Sequence, residues 1–142
     1  MNWLPSFERR LVSWTSLRES TRNLDLVQTL NAVNQWWFSS PWTPYYLHWD
    51  DQKDWPDPWQ LINENIFCDV ARGLGMLYTI TMLDRPDLDN FSLVDIRTHN
   101  LVLDSNGKYI LNYQADSIVN NNFKEFKVRH RIDQQQLRSK LI

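Results

Sequence analysis

Cys68 is the only cysteine in a chain of 142 residues, and the stretch around it, Asp54 to Thr81 (DWPDPWQLINENIFCDVARGLGMLYTIT), allows it two different roles. If Asn65 caps a new helix, Cys68 lies in that helix's first turn, where unpaired backbone N–H groups favour a thiolate and so a nucleophile. His99 would then serve as the base, and the hairpin beyond it would supply an orienting group. The hairpin register decides which group. A four-residue loop pairing Leu103 with Lys108 sets Asn112 opposite His99, a two-residue turn sets Gln114 there, and a three-residue loop sets Tyr113. The other role is packing. Asp57-Pro58-Trp59-Gln60 reads as an N-cap, a first-turn proline and a capping box, and Ile62, Ile66, Val70 and Leu74 then repeat every four residues. That pattern runs straight through Cys68. It predicts one helix over 57–85, closed by Arg85-Pro86, with the cysteine a small buried hydrophobe and no catalytic residue.

Other constellations carry less chemistry. His48, His99 and His130 are far apart and lack ligand spacing with Cys68, so no metal site is expected. Asp50, Asp51, Asp54, Asp57 and Glu64 lack the alternating acids and central glycine of a calcium loop and read as a solvated acidic face. With only Gly73, Gly75 and Gly107 available, neither glycine-rich phosphate fingerprint is present, and no cofactor is expected.

The positioning elements follow from periodicity. Ser6 can start a first helix with Phe7, Leu11, Trp14 and Leu17 inward and Arg9, Arg10, Arg18 and Glu19 on its other side. A second, capped by Asn23 or Asp25, runs to about Phe38 with Leu26, Leu30, Val33 and Trp37 on one face. Pro41 to Pro58 is too rich in proline for helix or central strand and reads as an extended loop whose rings pack down. Phe91 to Leu103 reads as a strand containing His99, Asp104-Ser105-Asn106-Gly107 as a hairpin turn, Tyr109 to Tyr113 as its return, and Phe126 to Ile132 as a third strand. The expected fold is α+β: three helices and a tryptophan-rich loop packed on a small antiparallel sheet of about three strands. One domain, 1–142, divides into a helical and Trp-rich region (1–56), the central helix (57–85), the strands (91–132) and a basic tail (133–142).

All eight tryptophans precede residue 60, so the first half is expected to carry the contact surface, with Trp42, Tyr45, Tyr46, Trp49 and Trp55 as anchors. From Ser117 onward six cations face two carboxylates, whereas the rest of the chain is acidic. Lys127, Arg129 and Arg131 should therefore meet an acidic protein partner or the chain's own aspartate-rich loop. The net charge of −2 and the lack of aromatic interleaving in the basic segment point away from nucleic acid. No apolar run approaches the roughly 20 residues that span a bilayer. MNWLPSFERR lacks a signal-peptide core, and a lone cysteine suits a reducing compartment; a cytoplasmic location is expected.

Two resemblances accompany these readings. FCDVA followed by THNLVLDSNGKYILNY loosely resembles papain-like and especially transglutaminase-like cysteine enzymes, over under half of the chain, and implies Cys68, His99 and Asn112 as a hydrolase or acyltransferase triad. The usual glycine before the cysteine and the aromatic after the histidine are missing. Across the whole chain, WWFSSPWTPYYLHWDDQKDWPDPWQLI, FCDVARGLGMLYTI and YILNY look like a group of small proteins of tailed bacteriophages. That likeness implies a structural protein of the tail, baseplate or neck, assembled in the cytoplasm into a virion with other protein subunits, a homo-oligomeric ring being one arrangement.

Overall fold

A computed structural model describes residues 3–4, 6–44, 46–120 and 127–141. Its central element is helix α4, Asp69–Met82, buried continuously from Val70 to Thr81. Helices α1 (Phe7–Thr21), α2 (Leu26–Phe38) and α3 (Pro58–Glu64) pack around α4, whose remaining side lies on the sheet. Strands β1 (Phe91–Asp95), β2 (Asn100–Asp104), β3 (Tyr109–Leu111), β4 (Val119–Asn120) and β5 (His130–Asp133) run antiparallel in the order β4-β3-β2-β1-β5. The α+β class is as expected, but about three strands understates the sheet. The helices that cross this structure include none long and apolar enough to span a membrane among the described residues.

The first two helices follow their patterns. Ser6 and Asp25 accept the N–H groups of Arg9 and Gln28 as N-caps, and Trp14, Leu17, Leu30, Val33 and Trp37 are buried. Arg10 departs from its expected outward place. It is 4% exposed, and its guanidinium donates to the carbonyls of Ile62, Asn63 and Leu4, closing the C-terminal end of α3. Burial lowers its pKa, and Glu8 opposes the shift.

The expected helix over 57–85 is two helices. α3 begins with the predicted capping box but ends at Asn65, whose φ of 58° lies in the left-handed region that asparagine tolerates better than most residues. Ile66 and Phe67 are extended, Phe67 bridges Trp42 in parallel, and α4 starts anew after Cys68. The expected single strand from Phe91 to Leu103 is a hairpin. Arg97 takes φ 82°, the Asp95 carboxylate accepts its N–H, and Ile96 donates to His99 O. No glycine or Asn-Gly pair marks this turn.

The other expected strand and the tail also change. Only His130–Asp133 of Phe126 to Ile132 forms a strand; Phe126 lies outside the described residues. The tail docks as α5 (Gln134–Arg138), capped by Asp133 and Gln136, with Leu137 fully buried. The Trp-rich loop carries a 3-10 turn over Trp49–Asp54. Its carbonyls at Lys53 and Trp55, not its aspartates, receive Lys140 Nζ.

The two α4 glycines are places of close approach. A Cβ on Gly75 would meet the Trp37 ring at 2.5 Å, and one on Gly73 would meet Leu93 Cδ1 at 2.6 Å. Helix propensity alone would favour alanine at Gly75 by roughly 1 kcal/mol. The clash should reverse that sign: Gly75→Ala is expected to lower stability by about 1–3 kcal/mol, read as a reduced urea midpoint.

Candidate functional site

The break after α3 places Cys68 at the N-cap of α4. Its sulfur occupies the place a cap oxygen normally takes, accepting the N–H groups of Ala71 at 3.5 Å and of Leu47, from the Trp-rich loop, at 3.4 Å. The residue is 3% exposed. Cys68 thus sits at a helix start, as the nucleophile reading requires, yet the loop that donates the Leu47 N–H covers it.

Asp69 organises the polar side of this corner. Its Oδ2 accepts both the backbone N–H of Asn100 at 2.9 Å and its Nδ2 at 3.2 Å. Asn112, at φ 67° and 2% exposed, donates Nδ2 to Asp69 O at 2.9 Å and to Asn100 O at 2.8 Å. Asn34 on α2 accepts the N–H of Asn112 and donates to Gln114 O, while Trp49 Nε1 reaches Asn100 Oδ1 at 2.8 Å. Helices, sheet and loop are thus joined through asparagine amides. Arg72, one turn along α4, lays its guanidinium over the Phe38 ring at 4.4 Å. Burial lowers its pKa, against the opposing charge of Asp69.

His99 is directed elsewhere. The ladder pairs Leu103 with Ile110, which is the two-residue register that sets Gln114 across from His99. Pairing stops at Leu111, and the left-handed Asn112 turns its amide toward Asp69. Val102, Leu93 and Leu111 lie on the helix side of the sheet, whereas Leu101 and Leu103 join Val94 and Ile110 in a second cluster on the opposite side. By strand alternation Asn100 falls on the helix side and His99 on the other. The His99 ring contacts Tyr113 at 4.9 Å and Thr98 Oγ1 at 3.1 Å. Of the implied triad, the fold gathers Cys68 and Asn112 around the start of α4 and places Asn100 in the row where an imidazole would be needed.

His130, weighed from the sequence only as a metal ligand lacking the right spacing, does have a carboxylate partner. His130 Nδ1 lies 2.9 Å from Asp95 Oδ2, and its ring stacks on Trp49 at 5.5 Å and 12°. Arg129 Nη2 is 3.1 Å from Asp95 Oδ2, and Arg129 N–H donates to Asp95 O. Burial by itself would raise the Asp95 pKa, but the bonds from His130, the Arg97 N–H and Arg129 outweigh it and hold the carboxyl below its ordinary range. No single-sequence signal joins residues 35 apart across an unmarked turn.

The expected contact residues separate clearly. Trp42 is 61% exposed; Trp55 is 3% exposed, in the core, with its indole N–H on His48 O; Tyr46 and Trp49 are half-buried against the core. Tyr45 lies outside the described residues. Lys127, Arg129 and Arg131 are exposed. The acidic residues Asp51, Asp54 and Glu64 line an open cleft of about 450 Å³ with Tyr46, His48 and Trp55; among the described residues no set of acids or histidines is arranged to hold a metal. Comparison with protein-family models, curated protein sequences and solved structures finds no match.

Two outcomes test this corner. Native Cys68 should resist alkylation near neutral pH and react on denaturation, and Cys68→Ser, which keeps a cap acceptor, should cost less stability than Cys68→Val, the difference being about 1 kcal/mol. A depressed carboxyl contributes stability above its unfolded pKa and loses it as pH falls through the folded value. Acid titration of unfolding should therefore show a loss below the ordinary 3.8 that Asp95→Asn abolishes.

Proposed function

We propose that this chain is a non-enzymatic assembly protein that docks into a larger protein complex, a bacteriophage tail, baseplate or neck being the setting its sequence resemblance implies. The observation that carries the reading is Trp42, 61% exposed with Ile66, 43% exposed, on the neighbouring strand of the break. Trp42 stands on a fixed backbone, because Thr43 N–H donates to Phe67 O at 2.8 Å and Phe67 itself is fully buried. Little backbone entropy is left to lose when such an indole enters a partner's pocket, and tryptophan is enriched among residues that dominate binding energy. The basic strand β5 supplies a second contact surface.

The burial of Cys68 beneath the loop supports the same conclusion, since a nucleophilic sulfur needs access for a substrate and a base beside it, and His99 lies against Tyr113 instead. Purified from cells that make it, the wild-type chain should migrate in size exclusion with a complex larger than the monomer. Trp42→Ala should migrate as a monomer with a nearly unchanged melting temperature, reflecting a loss of about 2 kcal/mol or more of binding energy. A wild-type chain that is monomeric in those extracts would overturn the reading.

A further inference from the structure

We propose that the outer edge of β5 accepts an extended acidic segment of a partner subunit as a sixth strand of the sheet. The inference rests on the assembly reading above and names the partner chemistry at its second surface. β5 ends the sheet order and pairs with β1 alone, so one side of its backbone has no strand beside it among the described residues. An open edge is a template for strand addition, and its side chains decide what may add.

Those side chains are cationic in an ordered way. Register with β1 places His130 opposite Asp95 and Ile132 opposite Leu93, on the helix side, and Arg131 opposite Val94, on the other. Arg129 and His130 both face Asp95, two residues against one as in a β-bulge, so Arg129 reaches the helix side with His130 while Val128 packs on the opposite cluster. Arg131 has one side-chain bond, to Ser92 Oγ at 3.3 Å, and no carboxylate among the described residues; the Arg129 side chain is 53% exposed despite its contact with Asp95. An incoming strand would therefore pair beside Arg131 and meet a cation on each face, Arg131 on one and Arg129 on the other, which acidic side chains complement.

The edge is also preorganised. Arg129 N–H donates to Asp95 O at 2.7 Å, Asp95 holds His130, Trp49 stacks on the His130 ring, and the Asp133 capping box fixes the far end. Ordering costs on binding are correspondingly small. A second copy added edge to edge would oppose like charges. Nucleic acid would need exposed rings for stacking, and the Trp49 face is already occupied by His130.

The test uses the full chain and three probes: a blocked octapeptide alternating valine and aspartate, the same peptide with its two central valines replaced by proline, and a single-stranded oligothymidylate. The first should bind in fluorescence anisotropy and protect the amide of Arg131, which the register turns to the open edge, from exchange. Arg131→Glu should weaken it about tenfold or more while Arg131→Lys retains most binding. Trp42→Ala should leave peptide binding unchanged, so failure of the edge and failure of the assembly reading are separately visible. The proposal is overturned by absence of binding, by equal binding of the proline peptide, by equally effective competition from the oligothymidylate, or by sedimentation showing a dimer that Arg131→Glu dissociates.

Discussion

The hydroxyl of Thr79 is the point on which the helical layer turns. Trp14 Nε1 from α1 and Trp37 Nε1 from α2 both donate to it, at 2.9 and 3.0 Å, and it donates in turn to Gly75 O at 2.8 Å. A threonine hydroxyl has one donor and two acceptor sites, and all three are used. Both indoles are fully buried, and a buried N–H left without a partner costs roughly 1–3 kcal/mol. Neither helix can slide or rotate against α4 without orphaning its own tryptophan. Gly75 completes the constraint, because only a residue without Cβ lets the Trp37 ring lie against that turn.

This arrangement explains why a tryptophan-rich sequence is not in the main a tryptophan-rich surface. Trp36 donates to Ser13 Oγ, Trp55 to His48 O and Trp49 to Asn100 Oδ1, so each of these large rings has its polar atom placed as well as its apolar face. Trp3, Trp36, Trp37 and Phe67 meet edge to face in one cluster. The aromatic content of the first half goes largely into locking helices and loop together. Exposure is concentrated at Trp42, with Trp59 the other tryptophan above a third exposed.

What was legible in the sequence was whatever local chemistry alone determines. The caps at Ser6, Asp25 and Asp57, the Asn106-Gly107 turn and the inward faces of α1 and α2 all rest on interactions within a few residues. The misreadings come from residues whose conformation is set at a distance. Asn65 is an ordinary helical residue by propensity, and its left-handed turn makes sense only with Arg10, from α1, taking the carbonyls that α3 leaves open. Arg97 likewise turns without glycine because Asp95 accepts its N–H while being held by Arg129 and His130 from another strand. Cys68 could be placed at a helix start on the assumption of that break, but the Leu47 N–H that covers it comes from 21 residues upstream.

The same break decides what the corner can do. In an unbroken helix Ile66 would fall on the stripe of Ile62 and Val70 and be buried with them. In the extended segment Phe67 points inward, fully buried, and Ile66 points outward beside the Trp42 bridge. One left-handed asparagine thus moves an isoleucine from core to surface and gives the Trp-rich loop a backbone to dock on. It also sets a sulfur at the head of α4. The Leu47 bond that fastens the loop uses that sulfur as its acceptor. Opening Cys68 to a substrate would mean lifting Leu47 and its loop off the sulfur, while Trp42 is held separately by the Thr43 to Phe67 bond. The loop fastened at Cys68 is thus also what buries it, so attachment closes the access that catalysis would need.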